Sequence, residues 1–68
     1  MNTLEARIAF VNSQAVCALA EIEGMKAENE HRVQCGNSIA YGMEAFLAVP
    51  EKYGLGHNTV IAYLRDFS

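Results

Sequence analysis

The sequence predicts an all-α fold: a long N-terminal helix followed by two short helices, assembled as a helical homodimer. Three observations predict it. Leu4, Ile8, Val11, Ala15, Ala18, Ile22 and Met25 recur at alternating spacings of four and three, a coiled-coil-like a/d seam. The later glycines and the single proline, Pro50, fall where helices stop and start. No stretch carries the period-two alternation of a half-buried strand. A chain of 68 residues holds one core, so residues 1–68 form a single domain.

The first helix opens at about Thr3, with Asn2 and Glu5 as a capping pair. Glu21, Glu23, Lys26, Glu28, Glu30 and Arg32 solvate its second half, and Gly36 supplies the stop. From Thr3 to Gln34 such a helix is roughly 48 Å long. Gly24 lies inside it at a cost of about 1 kcal/mol relative to alanine, which points to a close helix contact or a mild bend. Asn37 or Ser38 can cap a second helix with Ile39, Met43, Phe46 and Leu47 on one face. Pro50 ends that helix or starts a separate turn at Glu51-Lys52-Tyr53. After Gly54 and Gly56 a third helix turns Val60, Tyr63, Leu64 and Phe67 inward.

Length makes the case for a partner. The two short helices, of about ten residues each, cover only about 30 Å of the first helix. Apolar residues also lie off the seam, at Phe10, Val16, Cys17 and Leu19. A chain this small buries only roughly 60% of its unfolded surface, so its core needs support from outside. The expected solution is a homodimer along the first helix, with Leu4, Ile8, Val11, Ala15, Ala18, Ile22 and Met25 in the interface. The alternative is a monomer whose first helix breaks near Gly24 and folds back.

Composition narrows function. The formal charge of −3 has the wrong sign for a chain whose main partner is a polyphosphate. No run approaches the roughly 20 apolar residues of a membrane span, and the N-terminus has no secretory signal pattern. A cytoplasmic protein is expected, with Cys17 and Cys35 reduced and Cys17 buried. His31 and Cys35 stand four apart, a metal-compatible spacing. The run Glu28-Asn29-Glu30-His31-Arg32 around them reads first as a solvated charged face, so no metal and no cofactor is expected. No Ser/His/Asp set, phosphate-binding glycine loop or paired buried carboxylates appears, which argues against an enzyme. Tyr41, Phe46 and Tyr53 read as core aromatics.

One segment points another way. Val49, Tyr53, Gly54, Leu55, Val60 and Tyr63 have the order and spacing of helix-turn-helix anchors, and Asn58-Thr59-Val60 with Tyr63-Leu64-Arg65 resembles the second helix of many such regulators. The resemblance covers residues 49–65 and implies a DNA-binding alternative through His57, Asn58 and Arg65, with Asn58 on adenine and Arg65 on guanine or phosphate. Two positions depart from the pattern: Pro50 replaces a small residue, and Gly56-His57 replaces a capping hydroxyl and a basic residue. Glu51 and Asp66 offset Lys52 and Arg65, so little remains to neutralise phosphates.

Residues 1–32, and within them the stretch Ala18-Leu19-Ala20-Glu21-Ile22-Glu23-Gly24-Met25-Lys26-Ala27-Glu28-Asn29, resemble small accessory proteins of lambdoid phages encoded in the early region near the recombination and excision genes. The resemblance implies a non-enzymatic helper that modulates host or phage regulation through an unknown protein partner, in the host cytoplasm.

Overall fold

A computed structural model describes residues 3–65, and these hold three helices and no strand. They are α1 (Leu4–Gln34), α2 (Met43–Lys52) and α3 (His57–Arg65). Thr3 caps α1, its Oγ1 accepting from the Ala6 amide at 3.0 Å. Asn2, expected as the cap in a pair with Glu5, lies outside the described residues. At the far end Gly36 takes φ +81°, and the Asn37 amide donates back to the Arg32 carbonyl at 2.8 Å. That is the Schellman closure of a helix, with glycine at the left-handed position. Gly24 does not interrupt α1, and the space beside it is open. The break on which a folded-back first helix depends is therefore absent.

The second helix differs from expectation at both ends. It starts at Met43 rather than after Asn37 or Ser38, because a side chain from α1 binds the backbone of the connection. Asn29 Oδ1 accepts from the Ala40 and Tyr41 amides at 2.9 and 3.0 Å, and its Nδ2 donates to the Tyr41 carbonyl at 2.8 Å. Backbone groups satisfied in this way have no need of a helix. Pro50 lies inside α2, which continues to Lys52. The chain then closes as it did after α1: Gly54 has φ +70°, and the Leu55 amide donates to the Pro50 carbonyl at 2.7 Å.

The second half of the chain runs back along α1. Asn29 holds Tyr41, Glu21 meets Lys52 and Tyr53, and Arg7 meets Tyr63. Among the described residues α2 and α3 each pack on α1 and not on one another. The core is Ala18, Met25 and Val49, flanked by half-buried Ile22, Ala45, Phe46, Tyr53 and Leu55. Val60, Tyr63 and Leu64 are half-buried, as an inward face requires; Phe67 lies outside the described residues. The result is a rod of 53 × 18 × 11 Å with a radius of gyration of 15.7 Å, against about 11 Å for a compact chain of this length.

Candidate interaction surface

The heptad seam is divided by this packing. Ala18 and Met25 are buried under α2, Val11, Ala15 and Ile22 are half-buried, and Leu4 and Ile8 are exposed. Most of the surface expected to face a second chain is thus taken by the chain's own second half. The off-seam residues are what the fold leaves bare. Val16 is 65% exposed, Leu19 61% and Phe10 52%. Cys17, expected in the core, is exposed because it projects about 100° away from Ala18.

This bare surface has no charge. From Ala6 to Ala20 the only ionisable head group of the ordinary charged types is Arg7, and Arg7 is buried. Ile8, Ala9, Phe10, Val16, Cys17, Leu19 and Ala20 therefore form a belt broken only by the neutral Asn12 and Ser13. A helix apolar on most sides over roughly four turns belongs in an interior. Beyond Ala20 the helix becomes an ordinary solvated one, with Lys26 and Arg32 paired to Glu23 and Glu28.

A row of polar side chains fixes which face of α1 the second half takes. Arg7, Gln14 and Glu21 are seven residues apart and lie along one edge of the core. Arg7 Nη1 donates to the Tyr63 carbonyl in the last turn of α3, and its guanidinium lies 4.9 Å from the Tyr63 ring centre. Gln14 Nε2 donates to the carbonyl of Tyr53, the C-cap of α2, at 3.3 Å. Both satisfy helix-end carbonyls that α2 and α3 cannot satisfy themselves. Glu21 accepts from Lys52 Nζ at 2.9 Å and from the Tyr53 hydroxyl at 2.8 Å. Sequence reasoning missed this row, although its seven-residue spacing beside the seam was a readable signal.

The Glu21 cluster gives stability a pH dependence. The hydrogen bond from Lys52, then that from Tyr53, holds the Glu21 carboxyl below its usual 4.5. Its bond to Glu21 raises Lys52 above 10.5, and Tyr53's own bond to Glu21, with burial second, raises Tyr53 above 10.0. A depressed carboxyl stabilises the fold above its unfolded pKa, and that contribution is lost as pH falls through the folded value. The raised Lys52 and Tyr53 stabilise below their ordinary values and lose this as pH rises through the folded ones. Melting temperature against pH is expected to be flat between these limits and to drop outside them. Glu21→Gln should lower the plateau and flatten the acid limb; an unchanged acid limb would refute the assignment.

His57, Asn58 and Arg65 are all exposed on α3, where the helix-turn-helix alternative needs them. Lys52 is committed to Glu21, Arg65 has an interaction of its own, and the pairwise helix packing of a helix-turn-helix is missing between α2 and α3. Tyr53 is half-buried against the core and Phe46 beside it, whereas Tyr41 is exposed.

Other candidates are smaller. Cys35 Sγ lies 3.8 Å from His31 Nε2, and among the described residues no group of three or more His, Cys, Asp or Glu side chains could hold a metal. A cleft of about 140 Å³ lies between α1 and the α2–α3 turn, walled by Phe10, Val11, Gln14, Leu55, Thr59 and Tyr63. A shallower apolar hollow lies against Val33 and Ile39. No described helix is long and apolar enough to cross a membrane. No family model matches the chain, and neither do any curated proteins or solved structures.

Proposed function

We propose that this chain is a small non-enzymatic accessory protein that works through protein–protein contacts as a homodimer joined along α1. The observation that carries this reading is the uncharged belt from Ala6 to Ala20, which stays exposed after α2 and α3 have docked. An interior-type helix surface left in water favours association. The net charge of −3 turns the choice of partner away from nucleic acid and anionic membrane and toward protein. The resemblance of residues 1–32 to early-region accessory proteins of lambdoid phages makes a modulator of host or phage regulation, acting in the host cytoplasm, the role most in keeping with that surface.

Sedimentation at micromolar concentration tests the reading. A species of twice the 7.5 kDa chain mass is expected, and a stable single-chain species would overturn the homodimer. The DNA-binding alternative is favoured by one observation, the exposure of His57, Asn58 and Arg65 together on α3. It requires duplex binding that weakens steeply with salt. On our reading, titration with duplex DNA at low salt gives no saturable binding.

A further inference from the structure

Resting on that reading, we infer that the second copy lies antiparallel to the first, α1 against α1, with the two-fold axis near Ser13 and Gln14. Two observations carry it. The first is area. The chain exposes 5087 Å², whereas a compact monomer of its mass exposes roughly 4250 Å². The excess of roughly 800 Å² matches what one partner contributes to a standard stable interface. A second copy supplies a belt of the same chemistry and length, as a two-fold interface demands.

The second observation is where the charges lie. The flank of α1 next to the intramolecular face carries Ile8, Asn12, Ala15 and Leu19 at spacings of four, three and four, with Val16 beside them. Glu5 stands at one end of this stripe, and Glu23, Lys26 and Glu30 follow at the other. A parallel pair would set Glu5, Glu23, Lys26 and Glu30 each against its own copy, across an interhelical distance of about 8–10 Å. An antiparallel pair centred on Ser13–Gln14 sets Ile8 against the partner's Leu19 and Asn12 against the partner's Ala15. It sets Glu5 beside the partner's Glu23, a like charge that the Lys26–Glu23 ion pair already offsets. The two Glu30 residues are then roughly 50 Å apart by helix rise, far beyond the screening length of about 8 Å in physiological salt. Asn12 is the one feature that suits a parallel pair, where two copies could share an amide bond. One such bond does not offset four like-charge pairs along the same seam.

Single-cysteine variants decide the orientation. With Cys17 and Cys35 replaced by serine, Ile8→Cys and Leu19→Cys chains of different tag length are mixed and oxidised with glutathione disulfide. The mixture is expected to give the Ile8–Leu19 heterodimer roughly tenfold or more in excess of either like-with-like product, since only that pair comes within disulfide reach. Like-with-like products in each single variant would show a parallel pair and overturn the inference. So would a cysteine-free chain that sediments as a dimer while no variant cross-links, because another face would then be in use. A cysteine-free chain that sediments as a monomer would instead remove the homodimer on which the inference stands.

Discussion

Leu19→Asp is expected to dissolve the proposed homodimer and leave the chain folded. Leu19 is exposed within one chain and absent from the core around Ala18, Met25 and Val49, so a carboxylate there touches nothing the monomer needs. In the proposed pair each Leu19 would be covered, and an interfacial charge without a partner costs about 2–3 kcal/mol. Two-fold symmetry applies that cost twice, which raises the dimer dissociation constant by roughly a thousandfold or more. Sedimentation over a concentration series reads the shift, and far-ultraviolet circular dichroism checks that helicity persists. A Leu19→Asp chain that still runs at the dimer mass would remove the belt as the interface. Ile22→Asp is a poor substitute for this test. Ile22 packs against the core, so its replacement should disturb monomer and dimer together.

The contrast between Leu19 and Ile22 shows how far the sequence could be read. Helix α1 was legible almost to the residue, because Gly36 marks its end and one seam runs unbroken along it, although Thr3, read as the opening of the helix, is in fact its cap. Gly54 was legible as punctuation, but the end of α2 was not, since the helix runs through Pro50 to Lys52 before Gly54 turns the chain. Which apolar face of α1 folds inward was not. The seam and its flank are both apolar, and periodicity describes a face without saying what covers it. The polar row Arg7, Gln14 and Glu21 resolves the ambiguity, since those side chains reach the ends of α2 and α3 only from the seam side. The start of α2 was hidden differently. Asn29 looks like one more polar residue in a charged run, yet it bonds the backbone of Ala40 and Tyr41, 11 and 12 residues away in sequence. Local propensity at Asn37 and Ser38 yields to that distant bond. For the helix-turn-helix segment, the anchor spacing of residues 49–65 followed equally from helices packing on a third helix, which is the arrangement found.

Val49→Asp is expected to unfold the second half of the chain. Val49 is 2% exposed and sits against Ala18 and Met25, the place where α2 is held to α1. A carboxylate buried there has only apolar neighbours in that cluster, and the burial costs several kcal/mol. A chain of 68 residues commands only about 3–10 kcal/mol of total stability, so the loss is of the order of the whole. The variant should lose its cooperative thermal transition and much of its helical signal. Val49→Ala, which removes only methyl groups, should lower the urea midpoint by an amount equivalent to about 1–2.5 kcal/mol. The pH response separates buried charge from mere misfit. Burial raises the pKa of the introduced carboxyl in the folded state, so its stability is greatest where it is protonated and falls as pH rises through the folded value. Val49→Asp should therefore regain helix as pH is lowered from neutral toward the carboxylate range, until loss of the Glu21 contacts opposes it. A variant that melts within a few degrees of the parent at neutral pH would show that Val49 does not anchor α2.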